Sequence, residues 1–260
     1  MAVVLAVVNQ KGGVGKSTTA LNLSAVLARR GRRVLLVDLD PQGNATSGLG
    51  IPKDRLRSSV YDVLLRRLPL RAVLLPTAVE GLEVAPSTVE LAGAEVELAS
   101  EEDRAERLRE ALEGLRDRYD LVVVDCPPSL GLLTLNALVA ADRALLPIQC
   151  EYYALEGLSL LLRTLDLVRG SLNPRLRMGG VVLTMYDPRT NLSEQVAREV
   201  RAFFGAEVFR TVIPRTVRLA EAPSYGQPIF LYDPNSRGAA AYEALAEEVA
   251  ERLLGEEKDG

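Results

Sequence analysis

An apolar run, Ala2–Val8, passes directly into Asn9-Gln10-Lys11-Gly12-Gly13-Val14-Gly15-Lys16-Ser17-Thr18, and that segment opens a helical pattern reaching Arg30. No other feature constrains the fold as strongly. The run has the length of a strand and is apolar on both faces. A strand of that kind has to be covered on both sides, as in a parallel sheet layered between helices. The same alternation recurs along the chain. Arg33–Asp38, Leu121–Asp125, Arg143–Pro147, Val181–Met185 and Val208–Ile213 read as further buried strands. Ser17–Arg30, Glu102–Asp117, Leu130–Ala140, Leu155–Val168, Leu192–Phe204 and Arg237–Leu254 read as helices. Gly43 to Thr88 is less regular and suits loops and short elements.

The glycine-rich segment has what phosphate chemistry needs. Glycines let the backbone close around phosphate oxygens and turn its N–H groups inward. The helix that follows adds its positive N-terminal end. Lys16 is placed to reach the β- and γ-phosphates, and the Ser17 hydroxyl to bind Mg²⁺. A plain glycine turn would account for the glycines, but not for the lysine, the hydroxyl and both flanking elements in register. Lys11 to Thr18 is therefore the expected ATP-binding loop, with Mg²⁺. The expected fold is α/β of the P-loop NTPase type: a mainly parallel twisted sheet with helices on both faces, binding its ligand at the carboxyl ends of the strands.

Two other strands end on carboxylates. One closes as Val37-Asp38-Leu39-Asp40-Pro41-Gln42-Gly43-Asn44, the other as Val122-Val123-Val124-Asp125-Cys126-Pro127-Pro128. An apolar run closing on Asp is the Walker B form, in which a buried strand delivers its carboxylate to the active edge. Asp125 is expected to hold Mg²⁺ or a water bound to it. Asp40 is expected near the γ-phosphate, orienting the attacking water. Proton acceptance comes second, because an ordinary carboxylate is a weak base for water. Either motif alone also reads as a strand-end turn, for which Asp-Pro is common. Together with the loop they place three strands at one edge.

Composition removes several alternatives. There is no histidine, which excludes histidine acid/base chemistry and histidine metal sites. The two cysteines, Cys126 and Cys150, have no metal-type spacing. No run is apolar over the ~18 residues a membrane span requires, and Ala2–Val8 is too short for a signal peptide and lacks a basic start. A cytoplasmic protein is expected. The 260 residues contain no Gly/Ser linker or charge block, so one domain over 1–260 is expected, with 255–260 as a frayed polar tail. Only four lysines occur, Lys11, Lys16, Lys53 and Lys258, and two of them fall in the loop.

The loop departs from the general pattern: Gln10 stands where the first glycine would, and Lys11 is additional. This form resembles the deviant Walker A loop of the ParA/MinD group of ATPases. Val37 to Asn44, Leu183 to Asp187, Arg189 to Leu192, Val217 to Gly226 and Tyr232 to Gly238 look like the chromosomal ParA/Soj proteins, so the resemblance covers nearly the whole chain. It implies an ATPase switch that forms an ATP-dependent homodimer on non-specific double-stranded DNA, associates with the nucleoid, and segregates chromosomes or plasmids with a ParB partner that stimulates hydrolysis. It also implies that Lys11 crosses the dimer interface to the partner's phosphates. By the same resemblance, Met185 and the Pro214 region line the adenine pocket, although Met185 reads equally well as a core residue at a strand end.

The formal charge of −4 does not advertise a nucleic-acid binder. Arginines nevertheless outnumber acids between Arg169 and Arg237. Arg198 and Arg201 can pair with nearby glutamates on a helix. Arg189 and Arg218 stand in loop-like contexts and resemble the family's DNA-contacting positions. The alternative is a MinD-like spatial regulator, or another deviant-Walker-A ATPase that does not act on DNA. A MinD-like protein needs a basic amphipathic C-terminal helix, whereas Glu243–Glu257 is acidic, so no membrane partner is expected. A nitrogenase-reductase-like protein needs cysteine pairs for a shared cluster. A dethiobiotin-synthetase-like enzyme would lack the arginines and the ParA-like C-terminal third.

Overall fold

The computed structural model describes residues 1–152 and 158–255. These form strands β1 (Val3–Val7), β2 (Val34–Asp38), β3 (Leu75–Pro76), β4 (Leu82–Ala85), β5 (Leu121–Asp125), β6 (Arg143–Gln149), β7 (Arg177–Tyr186) and β8 (Val208–Pro214). The helices are α1 (Lys16–Arg29), α2 (Asn44–Gly48), α3 (Val60–Arg66), α4 (Leu91–Leu98), α5 (Arg107–Leu112), α6 (Leu132–Ala140), α7 (Leu158–Ser171), α8 (Asn191–Phe204), α9 (Val217–Glu221), α10 (Ile229–Tyr232) and α11 (Arg237–Val249). The strands make one sheet in the order β3-β4-β2-β5-β1-β6-β7-β8. All neighbours are parallel except the edge pair β3 and β4.

Successive side chains of each strand enter different cores. Leu5 and Val7 of β1 pack with Leu23 and Leu27 of α1 and Tyr242 and Leu245 of α11. Val4 and Ala6 pack with residues of α3, α6, α7 and α8 on the other face. This is why inner strands such as β2 and β5 read as continuous apolar runs: neither face meets water. Each Leu or Val so buried contributes about 1.5–3 kcal/mol of transfer free energy.

The connections place the site. From β1 the chain crosses through α1 to β2 on one side, and from β5 it passes through α6 to β6 on the other. The carboxyl ends of β1 and β5 therefore lie where the winding reverses, and ligands of open α/β sheets bind at such a reversal.

The structure differs from the sequence reading in its lesser elements. The helix expected over Glu102–Asp117 is shorter, α5 followed by a 3-10 turn at Arg116–Arg118. Gly114 separates the two, and the buried Arg107 draws the preceding turn inward by pairing with Glu101 and Asp103. The helix expected from Leu130 begins at Leu132, since Pro127, Pro128 and Gly131 occupy the turn before it. The last helix ends at Val249 and gives way to a π turn, Ala250–Leu254. β4 is one of the short elements of the Gly43–Thr88 stretch, and α4 lies outside the expected elements. The start of the Leu155–Val168 segment and nearly all of the 255–260 tail lie outside the described residues.

Candidate nucleotide site

The loop after β1 is fixed at its base by Asn9. Its buried side chain donates to the Pro147 carbonyl at the end of β6 (2.8 Å) and accepts from the Lys11 N–H (3.0 Å). Gly13 and Gly15 take positive φ, 74° and 88°, where a side chain would be strained. Thr184 of β7 donates its hydroxyl to the Val14 carbonyl (2.8 Å) and holds the loop from the opposite side. Helix α1 then starts at Lys16 with Gly15 as its N-cap and no capping side chain. Its first-turn N–H groups are thus offered to the cleft.

Lys16 is only 6 % exposed. Burial lowers its pKa, while the neighbouring Asp125, Cys126 and Asp40 act to keep it charged. Its ammonium donates to the Lys11 carbonyl (3.1 Å). Lys11 itself is exposed.

Two carboxylates close the floor. Asp125 is fully buried, and neither of its oxygens completes a hydrogen bond of good geometry. Burial pushes its pKa well above the usual carboxylate range and the charge of Asp38 adds to that, while Ser17 and Lys16 draw it back. Asp38 is a site residue that the sequence reading does not single out. It is also fully buried, but it accepts from the Thr46 N–H (2.8 Å), the Thr46 hydroxyl (2.7 Å) and the Asp40 N–H (3.1 Å). Burial raises it to about 6 despite these bonds. Asp40 begins a tight turn, closed by the Gly43 N–H on its carbonyl (2.8 Å), and accepts from the Gln42 N–H (2.9 Å).

A cleft of about 620 Å³, within the range of small-ligand sites, opens beside these groups, although the fully buried Asp38 and Asp125 are not among its lining residues. Gly12, Gly13, Gly15, Lys16, Ser17, Thr18 and Asp40 line it. Met185 lines it too, with a left-handed φ of 51° that turns the chain at the end of β7. Pro214 is not among the lining residues: it ends β8 opposite Tyr186. That wall is built instead by Leu219, Ala220, Pro223, Ser224 and Gln227, with Asn22 from α1. Asn22 accepts from the Ile229 N–H (2.7 Å) and so ties α1 to this wall. Single-residue polar contacts of this kind have no sequence pattern. Asp38, by contrast, carries the same apolar-run-to-Asp signal as Asp125.

Arg189 and Arg218 lie outside the cleft, each next to a segment that lines it. Arg189 follows β7, is 86 % exposed at its side chain and grips Asp187 with two nitrogens (2.9 and 2.7 Å), holding that carboxyl down at about 2. Arg218 precedes Leu219 in α9 and pairs with Glu221 (3.1 Å) and Asp233 (3.3 Å).

Residues 2–178 match the AAA domain family. The chain is 57 % identical over 250 residues to the sporulation initiation inhibitor protein Soj of Bacillus subtilis, covering 96 % of this chain and 99 % of that one. It is also 57 % identical to the chromosome-partitioning ATPase Soj of Thermus thermophilus, covering 96 % of each. The chain belongs to the ParA/Soj family of chromosome-partitioning ATPases. Among solved structures it resembles a Mycobacterium smegmatis protein described as cobyrinic acid a,c-diamide synthase with bound ADP and magnesium. That match has a TM-score of 0.84 and 42 % identity, and covers 95 % of this chain and 93 % of that one. The ParA/Soj assignment agrees with the loop bearing Lys11, the mainly parallel sheet and the two carboxylate strand ends.

Proposed function

We propose that this ParA/Soj ATPase binds Mg-ATP in the cleft and closes into a dimer around it. The dimer binds DNA without regard to sequence, at the nucleoid, and is opened by hydrolysis that a ParB-type partner stimulates. Asp125 is the observation that carries the reading. A buried, ionisable carboxylate with no well-formed hydrogen bond is costly in a folded protein, and it stands beside Ser17 and Lys16 of a phosphate-type loop. Among the described residues no cluster of acids, cysteines or histidines forms a cage for a metal ion. One hydroxyl and one carboxylate are nonetheless what a Mg²⁺ ion needs from protein when phosphate and water supply its other ligands. Ser17 and Asp125 would hold it, and bound there it would neutralise charge on the phosphates.

The chain's own groups divide the rest of the work. The N–H groups of the loop and of the first turn of α1 cradle the phosphates. Lys16 supplies a cation to the β- and γ-phosphates, and Asp40 orients the attacking water. Lys11, exposed at the rim, reaches the partner subunit's phosphates. Arg189 and Arg218 exchange their carboxylate partners for DNA phosphates. Met185 and the Leu219–Pro223 wall hold the adenine. A MinD-like role at a membrane fits poorly, because α11 carries Glu243, Glu247 and Glu248, and no helix among the described residues is long and apolar enough to cross a membrane. The test is ATP turnover with DNA and a ParB-type protein added separately and together. Turnover should be slow alone and rise most with both. Turnover that ignores both additions would reject the partitioning role.

A further inference from the structure

Lysine is scarce in this chain, and the loop accounts for Lys11 and Lys16. A third lysine, Lys53, reaches the same site from outside the cleft. It opens a short 3-10 turn, Lys53–Arg55, and its ammonium donates to the carbonyl of Gln42 at 2.6 Å. Its stem lies against Gly43: a Cβ built there would stand 2.8 Å from Lys53 Cδ, and Gly43 itself has a φ of 59°. Among the described residues Lys53 makes no ion pair, so this carbonyl is where its charge is used.

Gln42 is thereby gripped from two sides. Its N–H is bonded to Oδ1 of Asp40 (2.9 Å) and its carbonyl to Lys53. The inner end of the same turn is anchored by Asp38, which accepts from the Asp40 N–H, and Ser47 donates to the Gly43 carbonyl (2.7 Å). Lys53 is exposed and is the one cation of this set, the other side chains that hold the turn being the carboxylates of Asp38 and Asp40 and the Ser47 hydroxyl. An ammonium on a flexible stem suits a single carbonyl better than the planar fork of arginine does.

We infer that Lys53 is a positioning residue for hydrolysis: by fixing Gln42 it fixes the rotation of the Asp40 carboxylate at the γ-phosphate end of the cleft. This rests on the reading of Asp40 as the group that orients the attacking water. Misplacing such a group by a fraction of an ångström slows the chemical step and leaves ground-state binding alone.

The test compares wild type with Lys53→Met, which keeps the stem on Gly43 and removes the charge, and with Lys53→Arg. Each is also combined with Asp40→Asn, and steady-state and single-turnover ATP hydrolysis are measured with circular dichroism as a check of fold. Lys53→Met should lower kcat about three- to tenfold with KM for ATP changed less than about twofold. Lys53→Arg should lie between it and wild type. Because Lys53 acts through Asp40, Lys53→Met should add no further loss on top of Asp40→Asn. A wild-type kcat in Lys53→Met, an equal rise in KM, or a further loss in the double variant would overturn the inference. If Asp40→Asn alone hydrolyses at the wild-type rate, it is the reading of Asp40 that fails, and the two failures are told apart.

Discussion

Asp38 and Asp125 stand directly opposite each other on the adjacent parallel strands β2 and β5, both shut off from solvent. Only Asp38 is satisfied, by Thr46 and the Asp40 N–H; the oxygens of Asp125 complete no hydrogen bond. Two buried carboxylates thus stand side by side at the carboxyl ends of inner strands, and the one beside Ser17 and Lys16 lacks a well-formed hydrogen bond, which favours a ligand over the free fold.

The nucleotide-free protein should therefore be less stable because of its own site. Burial raises both pKa values, Asp38 to about 6 and Asp125 well above the usual carboxylate range. For groups raised on folding, the stabilising contribution is complete below the ordinary Asp value of about 4 and is lost as pH climbs through the folded value. Asp125→Asn should match wild type near pH 4 and exceed it above pH 6, by about 1–3 kcal/mol or a few degrees in Tm. Mg²⁺-dependent turnover should vanish in the same variant. Thermal unfolding across pH checks this, and a lower Tm for Asp125→Asn at pH 7.5 would count against it.

Lys16→Ala should lose productive nucleotide binding. The lysine is buried beside two acids, and its charge is the loop's only fixed side-chain cation in the cleft lining among the described residues. Affinity for Mg-ATP should fall by at least about a hundredfold, as expected when a charge-assisted bond to phosphate is removed from a shielded site. Equilibrium binding of a fluorescent ATP analogue measures it. Unchanged affinity would end the assignment of the loop.

Lys11→Ala should bind ATP and remain a monomer. Lys11 is exposed and gives the loop only its backbone, accepting from Lys16 and donating to Asn9. Two facing ATP molecules repel each other, so a cation supplied across the interface favours closure. Light scattering with ATP present distinguishes the outcomes: dimerisation equal to wild type would rule out the cross-subunit role.

Arg218→Glu, and to a lesser extent Arg189→Glu, should abolish DNA retention while ATP-driven dimerisation survives. Both arginines are exposed, yet each is held by carboxylates on its own chain, so DNA has to displace those partners. Binding should fall steeply with salt, and milder Arg→Ala changes should lower the log–log salt slope by about 0.9 for each phosphate that is no longer neutralised. Gel retardation over a salt series, with and without ATP, provides the check. Full binding by the double variant would show that the DNA-binding surface lies elsewhere.

The parts of this molecule legible in the sequence are those with a period or a fixed spacing. β1, β2 and β5 are buried on both faces and so read as unbroken Val and Leu runs, and the loop and Asp125 follow from where those runs stop. β4 gives no such signal because it is four residues long with Glu83 inside it, and α4 because it is only eight residues long with Gly93 inside it. Resemblance implies that the Pro214 region lines an adenine pocket; β8 ends at Pro214, and the cleft lining on that side starts at Leu219 in α9. The Thr184 contact to the Val14 carbonyl joins residues far apart in sequence, and the Lys53 contact to Gln42 spans an irregular segment with no periodic pattern, so no local rule encodes either.

The most direct measurement is ATP hydrolysis by Asp40→Ala alongside its state of association. Asp40 lines the cleft, and its hydrogen bonds lie within its own turn rather than on the loop. The variant should bind Mg-ATP as wild type does, hydrolyse it at least about a hundredfold more slowly, and accumulate as an ATP-bound dimer. Wild-type turnover in Asp40→Ala, with no persistent dimer, would show that the carboxylate only shapes a turn and would contradict the proposed switch.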